Sequence, residues 1–273
     1  ECSGAVRKFD RVVIATGGMS YPRTGSTGDG YRFARELGHT VTPLRPSLVP
    51  IESSHPLCRE AMGLTLKNVT LDVYEQGRKK PVYSELGELL FTHFGLSGPL
   101  ALSASAAMRH AGEVLYEAVI DLKPALDEKK LDRRIVSDFE KYSNRDFANA
   151  LGGLLPQKLI APFVALTGIS PTKKVNSLTR AERASVVAHM KGMRIPLSGL
   201  RPIEEAVVTS GGVSIREIDP HTMESKLVPG LFFAGEIIDV DGYTGGYNLQ
   251  IAWSTGRAAG IAAADAGNNI SGS

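Results

Sequence analysis

The chain has 273 residues, of which 42% are hydrophobic, and 31 Lys and Arg against 29 Asp and Glu leave a formal net charge of +2. This size suits one large domain or two or three smaller ones, each with its own core. The near-zero charge gives no reason to expect a polyanionic partner and disfavours nucleic-acid binding. We interpret the short basic clusters as solvated faces.

Cysteine usage and hydropathy point to a reducing compartment away from membranes. Cys2 and Cys58 form neither a CxxC pair nor a metal-spaced cluster, so we predict two free thiols and no metal site. No apolar run approaches the roughly 18 residues that span a bilayer. The first residues, ECSGAVRKFD, lack the apolar core of a signal peptide. The composition therefore predicts a cytoplasmic protein without membrane association.

The first predicted element is a short parallel strand. Residues 12 to 15 (VVIA) form a continuous apolar run, typical of a strand buried on both faces, and Thr16, Gly17 and Gly18 follow it. Parallel sheets bind ligands beyond the carboxyl ends of their strands, so this Thr-Gly-Gly segment is a candidate binding site. The alternative is a simple tight turn.

A glycine-rich loop, residues 19 to 30, leads into a predicted helix. Apolar residues recur at helical spacing from Tyr31 to Leu37, and Gly38 stands where a C-terminal cap belongs. Asp29 has a glycine on each side at the start of this helix. The free N–H groups there could face an anion. Alternatively, Asp29 or Thr27 caps the helix.

The secondary structure that the sequence pattern predicts changes twice in the middle of the chain. From about residue 41 to 123, short alternating runs such as NVTLDVY, ELLFTH and EVLYEAVIDL predict an antiparallel β region. Residues 124 to 192 show helical spacing, and Thr179 followed by Glu182 predicts a capping box for a helix that ends at Gly192. Strand signals return in EEAVVTSGGVSI, where the Gly-Gly pair predicts a hairpin turn, and in GLFFAGE.

The segment GLFFAGEIIDVDGYTGGYNLQIAWSTGRAAG has the densest functional signal. Beyond its strand come, in order, Gly235, Glu236, Asp241, Gly245, Gly246 and, at the predicted N-cap of a helix, Asn248. An acid there can bind ligand hydroxyls, and glycines let a flat ring approach the helix N-terminus, whose dipole favours negative charge. The small residues of the helix predict close packing on its neighbours. The alternative is a glycine-rich turn with no ligand.

These segments together resemble a known family. VVIATGGMSYPRTGSTGDGY, LLFTHFGLSGP, VTSGGV, TMESK and AGEIIDVDGYTGGYNLQIAWSTGRAAG are similar to segments of the bacterial NAD(P)/FAD-dependent oxidoreductases, flavoproteins with two dinucleotide-binding domains that include aminoacetone oxidase and a bile-acid dienoyl reductase. The resemblance covers nearly the whole chain. It implies hydride transfer between FAD and a small organic substrate, with NAD(P)H as a candidate electron donor.

The resemblance also implies which residues hold the cofactor. They are Thr16, Gly17, Gly18, Gly235, Glu236, Asp241, Gly245, Gly246, Asn248 and Leu249. The first three are expected near the adenosine half of FAD. Glu236 is expected beside the ribityl and pyrophosphate region, and Gly246, Asn248 and Leu249 at the pyrimidine end of the flavin ring.

The implied architecture is α/β with α+β inserts. Residues 1–44 and 228–273 would form an incomplete Rossmann-like FAD domain from both chain ends. Residues 45–123 and 193–227 would form an antiparallel, barrel-like domain on the substrate side, and residues 124–192 a small helical subdomain. The family pattern opens with GxGxxG, which does not precede VVIATGG here. We therefore expect the C-terminal portion of a longer flavoprotein that binds FAD weakly or not at all by itself.

Candidates on the substrate side have weaker signals. Tyr243 and Tyr247 flank the glycine loop and could line the face of the flavin or donate a hydrogen bond to a substrate carbonyl, although ordinary packing is the simpler explanation. His93 follows an apolar strand and has a catalytic or a structural role. Arg201 could attract a carboxylate or lie on the surface.

Two other functions remain open at this level. Fumarate reductase and succinate dehydrogenase flavoproteins also have ATGG followed by a TGDG helix, but the clustered Arg and His of a dicarboxylate site are missing here. A noncatalytic or tRNA-associated module is the second alternative, because flavin-dependent tRNA-modifying proteins share the two-domain plan. For such a module the net charge predicts weak, salt-sensitive RNA binding.

Overall fold

The structure is a computed structural model in which residues 7–268 are described, with side chains described up to residue 265. These residues form two compact units. The first unit combines the chain up to Val49 with the chain from Pro202 onward, and the second unit is Pro50–Arg201. The predicted α/β class is confirmed, and the predicted division into three domains stays a prediction.

The described chain contains eleven strands and eight α-helices. The strands β1 to β11 are Val12–Ile14, Arg45–Ser47, Ile51–Glu52, Thr65–Glu75, Tyr83–Thr92, Gly95–Ser97, Tyr116–Asp121, Met193–Leu197, Gly199–Leu200, Val208–Ser210 and Leu231–Phe233. The helices α1 to α8 are Asp29–Glu36, Pro56–Glu60, Gly98–Ala107, Glu128–Lys141, Phe147–Ala150, Gln157–Thr167, Arg180–Lys191 and Tyr247–Asn268. The apolar runs seen in the sequence thus become β1, β4, β5, β7 and β11.

The first unit is centred on a parallel pair of strands, β1 and β11, against which α8 packs. Residues of β11 are buried, but Val12 and Val13 of β1 are 46% and 41% exposed. The prediction of a strand buried on both faces is therefore wrong for β1. Among the described residues β1 pairs with β11 alone.

The Gly211–Gly212 pair does not form the predicted hairpin, because β10 pairs antiparallel with the distant β2. Both glycines have positive φ, +89° and +148°. A Cβ on Gly211 would lie 3.0 Å from the carbonyl carbon of Pro43, and one on Gly212 would lie 2.9 Å from that of Ile238. The two glycines thus permit a close crossing of backbone segments.

The small residues of α8 divide into two groups. Ala259 is fully buried, and its alanine neighbours pack against the core of the first unit. Gly256 and Gly260 are exposed, and a Cβ on either would meet no atom within 4 Å. The predicted close packing therefore holds for the alanines and is wrong for these glycines.

The second unit is built on a seven-stranded antiparallel sheet in the order β8-β7-β4-β5-β6-β3-β9. Its outer strands, β8 and β9, are consecutive in the chain with only Ser198 between them. The sheet must therefore curve until its edges approach each other, as the predicted barrel-like region requires. β4 shifts register between Leu66 and Val69, a bulge that increases the local twist.

Helices of the second unit follow the predicted spacing. α4 buries its three periodic apolar residues, Leu131, Ile135 and Phe139. α7 begins at the predicted capping box, in which Thr179 Oγ1 accepts from Glu182 N at 3.2 Å and Glu182 Oε2 accepts from Thr179 N at 2.8 Å. Gly192 follows the last residue of α7, as expected.

The capping box predicts a specific acid sensitivity. The Lys173 ammonium, 2.6 Å from Glu182 Oε1, and the Thr179 N–H lower the pKa of Glu182 from 4.5 to about 2. Because the folded-state pKa is depressed, ionised Glu182 stabilises the fold above pH 4.5, and this contribution is lost as pH falls toward 2. In urea unfolding, Glu182→Gln should be less stable than the parent near neutral pH, and the two should converge in acid. A pH-independent difference would contradict this prediction.

Candidate functional site

The carboxyl ends of β1 and β11 bring two of the predicted binding segments together. Because these strands are parallel neighbours, Thr16–Gly18 and Gly235–Glu236 leave the sheet at the same edge. Ala234 N donates to Ile14 O at 3.0 Å just before the two chains diverge. Five of the ten predicted cofactor residues therefore lie at one sheet edge.

Gly18 occupies a position with no room for a side chain. A Cβ there would overlap Glu236 Oε1 and Thr209 Oγ1 and would lie 2.8 Å from Thr209 Cβ. Gly17 has φ +74°, in the left-handed region that favours glycine. The close approach at Gly18 is thus made by the protein's own side chains, and this requirement exists whether or not a ligand lies nearby.

Thr209 of β10 is the polar centre of this edge, and it is not among the predicted site residues. Its Oγ1 accepts from Met19 N at 2.8 Å and Ser20 N at 3.1 Å, while its own N–H donates to Glu236 Oε1 at 2.7 Å. Thr209 is 1% exposed, so water does not compete for these bonds. The one sequence signal for it is its place in the family-like segment VTSGGV.

Glu236 is half-buried, and only one of its two carboxylate oxygens accepts hydrogen bonds within the described residues. Its Oε1 accepts from Thr209 N and, at 3.1 Å, from Ser20 Oγ, whereas Oε2 has no hydrogen bond within the described residues. Tyr31 Oη donates to the Glu236 backbone carbonyl at 3.3 Å. Burial, followed by the charges of Glu236 and Asp239, raises the pKa of Tyr31. The free Oε2 is therefore the atom that could accept a hydrogen bond from a ligand hydroxyl.

The start of α1 is shaped by packing. A Cβ on Gly30 would overlap Thr16 Oγ1, so Thr16 abuts the helix. Neither Thr27 nor Asp29 caps α1, whose N-cap is a glycine without a side-chain bond. Hydrogen bonds from Thr27 and Arg32 lower the pKa of Asp29, which is exposed. The Asp29 carboxylate is thus held by Thr27 and Arg32, its near neighbours in the chain.

The loop before α8 is held by two side chains that were predicted to bind cofactor. Asp241 accepts from Ser47 Oγ at 2.8 Å and from Ser210 Oγ at 3.0 Å, which ties the loop to β2 and β10. Asn248 makes two bonds with the Gly242 backbone, accepting from its N–H at 2.8 Å and donating to its carbonyl at 2.9 Å. A ligand here would therefore meet backbone rather than these side chains.

The N-terminus of α8 is the open part of the site. Gly245 and Gly246 have φ of +112° and +93°, and a Cβ on Gly246 would meet nothing within 4 Å. Helix α8 then runs for 22 residues from Tyr247, and Leu249 in its first turn is 58% exposed. The first N–H groups of a helix lack internal acceptors, and the helix dipole makes them attractive to negative charge. This helix start can receive an anion or the electron-rich edge of a ring.

Asn248→Ala tests how the loop is held. Two hydrogen bonds to Gly242 are lost, so we expect the free energy of unfolding to fall by about 1–2 kcal/mol. Urea unfolding followed by the fluorescence of Trp253, the chain's one tryptophan, reports on this helix directly. Asn248→Asp keeps the acceptor and should lose about half as much. Equal stability of parent and alanine variant would contradict this view of the loop.

The predicted catalytic candidates lie in different units. Tyr243 and Tyr247 are 52% and 62% exposed on the loop of the first unit, and their hydroxyls have no hydrogen bond among the described residues. His93 lies in the turn between β5 and β6 of the second unit, where its ring meets Phe94 edge-on at 5.0 Å. Arg201 stacks 4.9 Å over Phe94 and pairs with the β3 carboxylate, so it is already engaged.

Three of the other sequence predictions concern thiols, metals and membranes. Cys58 is a buried free thiol, and burial raises its pKa; Cys2 lies outside the described residues. Across residues 7–268, no three His, Cys, Asp or Glu side chains come together as a metal site would require. In the same span, no helix combines the length and the apolarity needed to cross a bilayer.

Comparison with known proteins shows which family the chain is similar to. A family model described as HI0933-like protein Rossmann domain matches residues 2–262. A 3-dehydro-bile acid delta(4,6)-reductase from Clostridium scindens is 32% identical over 262 residues, 94% of this chain and 62% of the relative. A ribosomal RNA dihydrouridine synthase from Escherichia coli is 34% identical over 257 residues, 93% of this chain and 61% of the relative.

A second ribosomal RNA dihydrouridine synthase, from Haemophilus influenzae, is 32% identical over 249 residues, 90% of this chain and 58% of the relative. The chain thus spans about three fifths of the length of these curated relatives. Both kinds of relative align with nearly all of this chain, including both of its units.

Proposed function

The chain belongs to the HI0933-like Rossmann domain family, and on that premise we propose that it forms part of a flavin-dependent reductase acting on a carbon–carbon double bond conjugated to a carbonyl. Two relatives' names support this reaction. A 3-dehydro-bile acid with double bonds at positions 4 and 6 is a conjugated dienone. Forming dihydrouridine removes the uracil double bond that is conjugated to a ring carbonyl. The reaction type is common to both, although the substrates differ in size and charge.

The observation that carries the proposal is the open start of α8. Gly245 and Gly246 present bare backbone in front of a long helix, so a planar ring can approach the N–H groups of the first turn. FAD, reduced by NAD(P)H, would supply the hydride. The helix N-terminus stabilises negative charge that gathers on a ring placed there. Glu236 Oε2 is free to hold a hydroxyl of the cofactor chain.

Reduction of a conjugated double bond also needs a proton at the carbon that does not receive the hydride. The exposed hydroxyls of Tyr243 and Tyr247 flank the open helix start and are the candidate donors in this chain. Their replacement by Phe removes the proton while keeping the ring. We expect the variant of the true donor to lose about 10²–10⁴-fold in turnover and to keep its pigment.

The first experiment is the visible absorption spectrum of the purified gene product, followed by identification of the released pigment. We expect a yellow protein that releases FAD. Glu236→Gln keeps the acceptor for Thr209 N but removes the charge at Oε2, and should lower FAD occupancy without changing the melting temperature of the FAD-free protein. A colourless protein that takes up no added FAD would refute the proposal.

The second experiment separates the two substrate classes. The pigmented protein is supplied with NADPH and either a 4-en-3-one steroid or a uridine-containing RNA, and consumption of the double bond is followed by mass spectrometry. Reduction of one substrate identifies the class. Reduction of neither, with FAD bound, would contradict the conjugated-carbonyl chemistry.

A further inference from the structure

A cavity of about 300 Å³ lies beside the bulge of β4 in the second unit. This volume is at the lower end of the range of about 300–1,000 Å³ for small-ligand sites. At about 30 Å³ for a water-sized group, the cavity holds about ten such groups. Its apolar lining comes from β4, the residue after β7 and the segment that leads into α6, and consists of the buried side chains Leu66, Val69, Leu122, Leu154, Leu155 and Leu159.

The bulge explains how β4 contributes two of these side chains. Leu66 and Val69 are three positions apart, so they would face opposite sides of a regular strand. Asn68 lies between them with φ +54°, and the register of β4 shifts there. The extra residue reverses the alternation, and both Leu66 and Val69 are buried. The bulge therefore directs both apolar groups toward the same cavity.

Lys123, two residues beyond the end of β7, also lines the cavity. This lysine is half-buried, and its ammonium group has no hydrogen bond and no carboxylate partner within the described residues. Burial, followed by the charge of Arg134, lowers the pKa of Lys123. The ammonium group is thus partly withdrawn from water without gaining an anion, which is unfavourable for a charged group.

The acids close to Lys123 in the chain or near Arg134 are engaged by other groups. Asp121 pairs with Lys191 and accepts from the Lys123 backbone N–H at 2.8 Å, while Asp138 pairs with Arg134 at 2.8 Å. Lys191 Nζ also donates to the Lys123 carbonyl at 3.1 Å. The backbone of Lys123 is therefore fixed on both sides, and its ammonium group is left for an anion from outside the chain.

We propose that this cavity binds a small carboxylate with an apolar body of about eight carbons, whose head group pairs with Lys123. The apolar lining favours a hydrocarbon body, because each methylene group taken out of water contributes to binding. The carboxylate supplies the anion that the ammonium group lacks, whereas a neutral ligand would leave it unpaired. No residue of this cavity is among the predicted cofactor or catalytic residues, so the inference goes beyond the proposed function and does not depend on it.

The test is isothermal titration calorimetry of the 273-residue chain with octanoate, hexanoate and octan-1-ol. Octanoate should bind saturably at one site. Hexanoate is shorter by two methylene groups and should bind about tenfold more weakly. Octan-1-ol keeps the apolar body without the charge and should also bind about tenfold more weakly than octanoate.

Two methionine variants separate the charge of Lys123 from its position. Lys123→Met keeps most of the aliphatic stem and should weaken octanoate binding about tenfold or more, while octan-1-ol binding changes less than twofold. Lys67→Met is the matched control and should alter octanoate affinity less than twofold. Lys67 lines the same cavity, but its side chain is 71% exposed and its ammonium lies 3.7 Å from Glu88.

A structural role for Lys123 predicts a different result. Because its ammonium group has no internal partner, Lys123→Met should melt at the same temperature as the parent or higher. A lower melting temperature would show that the charge stabilises the fold and would overturn the proposal. So would the absence of saturable binding at about 5 mM octanoate, equal affinities for octanoate and octan-1-ol, or equal losses from the two methionine variants.

Discussion

Gly18→Ala is expected to lower the free energy of unfolding of the first unit by about 2–3 kcal/mol, because the new methyl group has no space to occupy. Glu236 could swing its carboxylate away, but Thr209 Cβ, 2.8 Å from the added carbon, is fixed on β10. Urea unfolding followed by Trp253 fluorescence measures the loss. If FAD binds at this sheet edge, its occupancy should fall as well.

The matched control for Gly18 is Gly256→Ala on α8, where a Cβ meets no atom within 4 Å. In a helix the same substitution should raise stability by up to about 1 kcal/mol. The two alanine variants therefore differ in sign. If both were neutral or both stabilising, the tight packing of Gly18 against Thr209 and Glu236 would be refuted.

Thr209→Val is expected to cost about 2–4 kcal/mol, although the two side chains have nearly the same shape. The valine methyl cannot accept from Met19 N and Ser20 N, and each buried donor left unsatisfied costs about 1–3 kcal/mol. Hydrogen exchange of these two amides should accelerate together with the loss of stability. The measurement is again urea unfolding of the first unit.

Thr209→Ser separates the hydroxyl from the methyl group. Serine keeps the acceptor and loses one buried methyl group, so it should cost about 1 kcal/mol. Serine and valine variants of equal stability would show that the hydroxyl contributes nothing. In that case the hydrogen bonds to the Met19 and Ser20 amides would not hold this edge together.

Local patterns in the sequence were sufficient for most elements. The spacing of Leu131, Ile135 and Phe139 predicts α4, and Thr179 with Glu182 predicts the start of α7, because helix formation and capping depend on neighbours within four residues. The alternating runs predict β4, β5 and β7, because alternate residues of a strand face the same side of the sheet. This pattern is also local.

Partners far apart in the chain were beyond local patterns. The Gly-Gly pair after β10 has the composition of a hairpin turn, but the strand that pairs with β10 is the distant β2. No pattern within either segment predicts this pairing. Thr209 and Met19 are 190 positions apart, so the hydroxyl at the centre of the site cannot be inferred from either segment alone. Glycine spacing pointed to this sheet edge without telling which atoms need the space.

The distribution of charge is another property that the sequence composition does not reveal. The total of +2 argues against a polyanionic partner when the chain is taken as a whole. Residues 124–192 nevertheless contain 12 Lys and Arg against 7 Asp and Glu. A sum over the sequence cannot register such a separation.

The pairing of β1 with β11 has a consequence for synthesis on the ribosome. Thr209, which receives the Met19 amide, is translated 190 residues after it, a delay of about 10 to 40 s at 5–20 residues per second. The middle unit, Pro50–Arg201, is complete within that interval and can fold first. The nascent β1 must therefore remain unpaired until β11 has been synthesised.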